Sequence, residues 1–278
     1  MSDQELFLDL ALARRIEMAE AQAAVECTET YERLRPGSNT AVERIGGGFA
    51  IYCGPNLPTT QAVGLGLDGP IGEEEFDRLE EFYRSRGEAV RVESCPLADL
   101  SLFEQFGRRG YRVTEFSSVM ARTMPTQMTM ENWDAPAGGV TIEKVEEEHF
   151  ELWTFTVAQG FAEHYPVTQE LLNVMKMFAQ GASAECYLAR IDGKVAGGAT
   201  LAVRDGVAGL FGASTLPAFR NRGVQTALLR TRLARAAAAG CDLAVSLAQP
   251  GSASERNIRR QNFYVLYTRV KFEKAFAA

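Results

Sequence analysis

The sequence has little of the material from which metal sites and disulfide frameworks are built. Its 278 residues include two histidines, His149 and His164, and five cysteines. The cysteines are odd in number and form no Cys-x-x-Cys pair, so neither a zinc site nor a disulfide framework is expected. We therefore expect reduced thiols, no bound metal and a cytoplasmic location.

Long apolar runs and an excess of positive charge are also missing. No 18 consecutive residues are apolar, so no membrane-spanning helix is expected. The first residues are acidic where a signal peptide would need basic side chains, and they predict an amphipathic helix instead. The formal net charge of −7 argues against nucleic acid or an anionic membrane as the main partner.

The length and composition indicate two folded domains joined by a linker. Hydrophobic residues make up 46% of the chain and charged residues 23%, which is typical of globular domains with real cores. The boundary signal is the segment 124–139, which contains two prolines, ends in Ala-Gly-Gly and has no sustained periodicity. We predict an N-terminal domain over 1–124, a linker over 125–138 and a C-terminal domain over 139–278.

The C-terminal domain has a clear order of predicted elements. A strand and two helices come first, at 140–145, 147–161 and 168–179. Three strands follow, at 186–191, 194–203 and 207–214. Asp-Gly pairs separate these strands and predict type I′ turns, and hence an antiparallel meander. A loop, a helix ending near Gly240, a strand, a short helix and a final strand complete a mixed α/β sheet.

The N-terminal half repeats part of this order. Helix, strand, helix and strand are predicted at 71–86, 89–93, 100–109 and 111–122. We interpret this succession as a weak internal duplication, with chance as the alternative because the succession is a common one.

The segment between the third meander strand and the long helix carries the strongest chemical signal. It reads Leu-Pro-Ala-Phe-Arg-Asn-Arg-Gly-Val-Gln-Thr at 216–226. The N–H groups and dipole of a helix N-terminus bind anions well. Arg220 and Arg222 add positive charge, and Gly223 lets the backbone approach a ligand closely. The arrangement suits a pyrophosphate; a solvated basic loop with a glycine turn is the alternative.

The helix that follows this loop has an apolar stripe at helical spacing. The stripe is formed by Leu229, Leu233, Ala236 and Ala237. This pattern predicts that Thr231, Arg232 and Arg235 lie on the opposite side of the helix.

The run Arg-Asn-Arg-Gly-Val-Gln-Thr-Ala-Leu-Leu at 220–229 resembles the acyl-CoA-binding motif of the GNAT superfamily of N-acyltransferases, R/Q-x-x-G-x-G/A. The elements before and after the run also follow that fold's order, so the resemblance covers about residues 139–278. It implies an α/β fold of the α+β type, in which helices flank a central mixed sheet. With the internal duplication, the chain is expected to be a tandem of GNAT-like domains. The N-terminal copy carries Glu73–Glu75 at the matching helix start, and these would repel a pyrophosphate.

The resemblance implies acetyl-CoA as the co-substrate and assigns its contacts. Arg220 matches the first motif residue and Gly223 its fixed glycine. The pyrophosphate loop would comprise Arg220, Asn221, Arg222, Gly223, Val224, Gln225 and Thr226. The pantetheine arm would bind the strand end Ala213, Ser214 and Thr215, which in the family splays from its neighbour, and Asn257 would add a side-chain contact. Gln225 replaces a small motif residue, so the loop is tighter or its amide joins the contacts.

The proton-transfer groups are less clearly marked. Many family members place a tyrosine five residues before the final phenylalanine, where this chain has Ile258. Ser254 and Tyr267 are therefore the candidate proton donors. Glu163 and His164 lie between the first two helices, where family members build the acceptor pocket, and either could take a proton from an amine. An ordinary polar loop is the alternative there.

The preferred hypothesis is transfer of an acetyl group from acetyl-CoA to a primary amine in a ternary complex. A small-molecule amine is the expected partner, while its identity and the oligomeric state are open. A non-catalytic acyl-CoA-binding or sensory module is the alternative, motivated by Ile258. An interaction scaffold without a cofactor is a third, weaker reading.

Overall fold

The computed structural model describes residues 6–124, 139–162 and 166–276. They form two compact units. The N-unit consists of residues 7–119 and 265–276, and the C-unit of the described residues of 120–264 together with Leu6. The predicted linker 125–138 lies outside the described residues.

The N-unit is built on an antiparallel meander that continues into a parallel strand pair. Its helices are α1 (Leu10–Leu34), α2 (Glu73–Arg84) and α3 (Leu100–Arg109). Its strands are β1 (Ala41–Ile45), β2 (Gly48–Tyr52), β3 (Gln61–Val63), β4 (Val90–Ser94), the first part of β5 (Arg112–Thr123) and all but the first residue of β11 (Tyr264–Lys274). The strand order is β1-β2-β3-β4-β11-β5. β1, β2 and β3 pair antiparallel, β3 and β4 pair parallel, and β4 and β11 pair antiparallel.

The C-unit repeats this plan. Its helices are α4 (Phe150–Gly160), α5 (Gln169–Ala179), α6 (Val224–Ala238) and α7 (Ala253–Arg259). Its strands are β6 (Val140–Lys144), β7 (Ala184–Ile191), β8 (Lys194–Arg204), β9 (Val207–Thr215), β10 (Leu243–Ala248) and the end of β5. The strand order is β5-β10-β9-β8-β7-β6. β6 to β9 pair antiparallel, and β9 and β10 pair parallel.

The predicted turns have the expected backbone. Both residues of each Asp-Gly pair have positive φ, 53° and 74° at 192–193 and 48° and 76° at 205–206, as a type I′ turn requires. Gly240 follows α6 with φ 78°, which places the left-handed residue where a helix commonly ends. Asn262 has φ 60°, a left-handed conformation that asparagine tolerates.

The core of the C-unit lies between α6 and one face of its sheet. Val224, Leu228 and Leu233 of α6 are buried against Leu201 of β8 and Leu210 of β9. On the other face, Trp153 of α4 is fully buried. The helix and both strands therefore form a rigid support for the loop that joins β9 to α6.

The compact units differ from the predicted division of the sequence at the end of the chain. Residues 265–276 were assigned to the C-terminal domain, but they belong to the N-unit. The reason is pairing: Val270–Lys274 of β11 lies antiparallel to β4. Sequence order alone does not reveal this exchange, because a strand's partners need not come from its own half of the chain.

No helix among the described residues is both long and apolar enough to cross a membrane. In the same part of the chain, no cluster of three or more metal-ligating side chains occurs. No disulfide joins the cysteines.

Candidate functional site

A gap opens between β9 and β10 at their carboxyl ends. The parallel pairing runs from Val207–Leu243 to Leu210–Ser246 and stops there. β9 continues to Thr215, paired with β8 alone. The hydroxyl of Ser246 donates to the carbonyl of Leu210 at 2.9 Å, at the last paired position of the two strands. Backbone polar groups beyond Leu210 therefore border an open slot.

A β-bulge lies in β9 beside this slot. Thr200 pairs with Phe211 and Gly198 pairs with Ser214, so one residue of β8 faces two residues of β9. Gly212, the first of the two, has φ 57°, a conformation that glycine adopts without a steric penalty. A bulge changes the direction of the backbone polar groups, and here it does so at the edge of the slot.

The loop between β9 and α6 is shaped by two left-handed residues. Asn221 has φ 62° and Gly223 has φ 83°, and α6 begins directly after Gly223. No side chain caps this helix start, and the first N–H groups of a helix have no partner within it. The loop thus presents backbone donors together with the positive end of the helix dipole.

Arg222 keeps its charge at the surface beside this loop. Its guanidinium lies 3.5 Å from the carboxylate of Asp192, and both side chains are well exposed. The same group stands 5.8 Å from the centroid of the Phe219 ring. An exposed pair of this kind is weak, so Asp192 leaves Arg222 available to an anion at the loop.

Gln225 ties the first turn of α6 to the end of β9. Its side-chain amide donates to the Thr215 hydroxyl at 3.0 Å. The bond fixes the loop between these two ends.

α4 packs closely against β9 on the other side. The Ser214 hydroxyl donates to the Val157 carbonyl at 3.1 Å. A Cβ at Gly160 would lie 2.3 Å from that hydroxyl oxygen, and a Cβ at Gly197 would lie 2.4 Å from the Ser214 carbonyl. The hydroxyl of Ser214 is therefore engaged in the contact between β9 and α4.

The candidate proton donors Ser254 and Tyr267 belong to different units. Ser254 is exposed in the first turn of α7, with Asn257 half-buried one turn later in the same helix. Ile258 is 8% exposed and belongs to the apolar core. Tyr267 lies in the N-unit, where its hydroxyl donates to Glu17 at 2.6 Å and burial raises its pKa. Tyr267 and the loop between β9 and α6 therefore belong to different units.

Two further predicted residues, Glu163 and His164, lie outside the described residues. Along the chain they fall between α4, which ends at Gly160, and α5, which begins at Gln169.

Arg232 was predicted on the polar side of α6, and this prediction is wrong. Its side chain is 3% exposed and donates to the backbone carbonyls of Thr200, Phe211 and Leu228. Burial lowers its pKa to about 9. A long side chain on a helix can lie along the helix and reach the sheet, so helical periodicity does not place its charged end.

The matching helix start in the N-unit is closed by its own side chains. Glu75 of α2 accepts from the backbone N–H groups of Gly72 and Gly46, each at 3.2 Å. Ser101 accepts from the N–H of Ile71 at 2.8 Å. The first turn also carries three glutamates. An anion at this position would meet occupied donors and like charge.

Comparison with known proteins identifies the fold. Residues 158–265 match the model described as the Acetyltransferase (GNAT) family. No curated protein matches the chain. Among solved structures, a GCN5-related N-acetyltransferase from Kribbella flavida is similar at 18% identity and a TM-score of 0.70, with 95% of this chain and 96% of that chain covered.

Two other solved structures extend the comparison. A tandem GNAT protein from the clavulanic acid biosynthesis pathway is similar at 14% identity and a TM-score of 0.62, covering 97% of this chain and 95% of that one. A functionally unknown conserved protein from Staphylococcus epidermidis has 13% identity and a TM-score of 0.52, covering 74% and 78%. At these identities the likeness shows the fold, and it confirms the predicted tandem arrangement and mixed sheet.

Proposed function

We propose, from the match of residues 158–265 to the GNAT family of acetyltransferases, that the protein transfers an acetyl group from acetyl-CoA to a small-molecule primary amine. The observation that carries the proposal is the slot between β9 and β10, which opens beside an uncapped, positively charged helix start. We propose a cytoplasmic location for this activity.

The loop residues fit a pyrophosphate. The backbone donors at 222–226 and the dipole of α6 favour negative charge, and Arg220 and Arg222 supply two cations. Asn221 and Gly223 both adopt the left-handed conformation, and successive backbone N–H groups in turns that contain such residues form concave anion sites. Arg220, Asn221, Arg222, Gly223, Val224, Gln225 and Thr226 are the residues that we propose to hold this group.

The slot fits an extended arm. Ala213, Ser214 and Thr215 lie at the end of β9 beyond its last pair with β10. Their backbone groups would bind the pantetheine arm as an added strand would, and Asn257 would contact it from α7. Acetyl-CoA supplies the acyl group as an activated thioester. A backbone N–H of the splayed segment would stabilise negative charge on the thioester oxygen.

Proton removal from the amine is the larger demand on the protein. An alkylammonium of pKa near 10.4 loses its proton at pH 7 at a cost of roughly 4–5 kcal/mol. A thiol of pKa near 8.5 can leave as thiolate at pH 7 at a cost of about 2 kcal/mol. We propose Glu163 or His164 as the base and Ser254 as the donor to the departing sulfur. Because releasing the thiolate costs less than deprotonating the amine, turnover does not require a tyrosine acid at the position of Ile258.

The N-unit is proposed to support the site or shape the acceptor pocket without binding CoA. The observation behind this is the start of α2, where the backbone N–H groups of Gly72 and Gly46 already donate to the Glu75 carboxylate. One molecule of acetyl-CoA per chain is therefore expected.

Calorimetry with acetyl-CoA tests the proposal. We expect one binding site per chain in the intact protein, and a loss of at least about 100-fold in affinity in the Arg220→Glu, Gly223→Glu double variant, since two acidic groups would face the pyrophosphate. The matched control is Arg78→Glu with Gly87→Glu, which changes an exposed arginine and a positive-φ glycine of the N-unit. No binding, two sites, or equal losses in both double variants would reject the assignment.

A second candidate function is an acyl-CoA-binding sensor without turnover. The observation that favours it is Ile258, which packs in the core where many family members have a tyrosine. Release of the CoA thiol from acetyl-CoA, measured over a panel of primary amines, separates the two functions. Amine-dependent release rejects the sensor, whereas tight binding without release from any amine supports it.

A further inference from the structure

A single guanidinium holds the two backbone carbonyls next to the bulge in β9. Nη1 of Arg232 donates to the Thr200 carbonyl at 2.8 Å and to the Phe211 carbonyl at 3.3 Å. Nε donates to the Leu228 carbonyl in the preceding turn of α6 at 3.1 Å, which fixes the side chain along its own helix. Thr200 and Phe211 are the last register partners before the bulge.

Burying this cation is costly, and among the described residues no carboxylate offsets the cost. Arg232 is 3% exposed, and the ionisable groups that act on it are Cys186 and Tyr187. Burial raises the pKa of both, that of Cys186 to about 12, so both are neutral at pH 7. A cation buried without a counter-charge is disfavoured by several kcal/mol. An apolar residue would fill this place in the helix at lower cost, so the arginine is expected to have a specific task.

The geometry of a peptide group identifies that task. A trans peptide is planar, with its C=O and N–H directed to opposite sides. The Phe211 carbonyl and the Thr200 carbonyl of β8 share one nitrogen of Arg232, so the Phe211 carbonyl is directed towards β8. The N–H of Gly212, at the other end of the same peptide group, is then directed away from β8. On that side β10 has parted from β9.

We propose that Arg232 is a positioning residue, which holds the Phe211–Gly212 peptide so that the Gly212 N–H donates to the carbonyl oxygen of the thioester in the slot. This inference rests on the proposed acetyl-CoA site. It adds that the Gly212 N–H is oriented by a buried side chain of α6, which does not contact the ligand.

The carbonyl stretching band of acetyl-CoA, labelled with ¹³C at the thioester carbonyl, reports this contact directly. A hydrogen bond to the oxygen lowers the band's frequency, so the band of bound acetyl-CoA should lie below that of free acetyl-CoA. In Arg232→Met we expect most of this lowering to be lost, with kcat/KM reduced about 10- to 100-fold. The Kd of CoA, which has no such carbonyl, should change by less than about twofold.

Arg235→Met is the matched control. Arg235 lies three residues further along α6, is 44% exposed and binds Glu185, so its loss should leave the band unchanged. Arg232→Gln, which keeps one amide donor but cannot reach both carbonyls, gives the same test if the methionine variant does not fold.

The outcomes are distinct. Loss of the band shift in the Arg232 variants and its retention in Arg235→Met support the inference. An unchanged band in a folded Arg232 variant overturns it and leaves the proposed function standing, because the wild-type protein still binds acetyl-CoA. Failure of the wild-type protein to bind acetyl-CoA rejects both.

Discussion

Gly223 carries the most exacting backbone requirement of the candidate site. Its φ of 83° immediately precedes the first residue of α6, and a side chain in this conformation meets its own backbone at a cost of about 1–2 kcal/mol. The same residue sets the direction in which the first N–H groups of α6 point. A change here should therefore affect both stability and anion binding.

We predict that Gly223→Ala lowers the free energy of unfolding by about 1 kcal/mol and weakens acetyl-CoA binding by about tenfold or more. The matched control is Gly240→Ala at the other end of α6, where φ is 78° and a Cβ would meet nothing within 4 Å. Its stability loss should be similar and its affinity unchanged. Urea unfolding and calorimetry measure the two quantities, and equal affinities of the two variants would contradict the assigned role.

At the scale of elements, β7 is tied to α6 through one carboxylate. Glu185 accepts from Nε and Nη2 of Arg235 at 2.8–3.1 Å and from the Tyr187 hydroxyl at 2.6 Å. Burial alone would raise the pKa of Glu185. The bonds from Arg235 and Tyr187 and the charges of Arg235 and Lys144 outweigh burial and lower the pKa from 4.5 to about 2.

This lowered pKa predicts the pH range in which the contact stabilises the fold. The folded protein binds the proton less readily than the unfolded chain, so the stabilisation is complete above pH 4.5 and is lost as pH falls towards about 2. The difference in unfolding free energy between wild type and Glu185→Gln should therefore be constant near pH 7 and shrink below pH 4.5. Glu143→Gln, at an exposed ion pair with Arg190, is the control and should change stability little. A pH-independent difference for Glu185→Gln would contradict this account.

At the scale of the whole molecule, β11 is held in the N-unit by a buried charge network. Arg269, 1% exposed, contacts Glu17 of α1 at 3.0 Å, Glu20 at 2.8 Å and Glu93 of β4 at 3.2 Å. Burial raises the pKa of Glu17 despite the arginine. Removing the arginine would leave carboxylates buried without their counter-charge.

We predict that Arg269→Met destabilises the protein by about 3–5 kcal/mol, the usual effect of breaking a buried ion pair from one side. Adding Glu17→Gln should restore part of the loss because it removes a buried charge that has lost its partner. Arg78→Met, which affects an exposed pair with Glu43, is the control with a small expected change. Denaturant unfolding measures all four proteins, and a loss below about 1 kcal/mol in Arg269→Met would refute the prediction.

The features that could be predicted from the sequence are those that depend on residues close together in the chain. The Asp-Gly turns, the left-handed Gly240 and all the elements of the C-unit meander were predicted because turn residues and short-range periodicity determine them. Strands β1 and β3 were missed. β3 has three residues, too few to show a period.

What depends on distant parts of the chain was not predictable. The buried end of Arg232 depends on a bulge in β9, and no residue near position 232 signals it. The place of β11 depends on β4 and on Glu17, more than 170 positions earlier in the chain. Within the candidate site, the loop at 220–226 was marked by its own sequence, whereas the parting of β9 from β10 was expected only from the family resemblance.

The position of β11 has a consequence for biosynthesis. Tyr267 and Glu17, which bond in the N-unit, are separated by 250 positions along the chain. A nascent chain emerges from the ribosome with its N-terminal part first and commonly folds in that order. Here the N-unit is incomplete, and the edge of β4 stays unpaired, until β11 has been synthesised. Pairings over such distances form slowly, so the exposed strand edge is the point at which a chaperone would act or aggregation would begin.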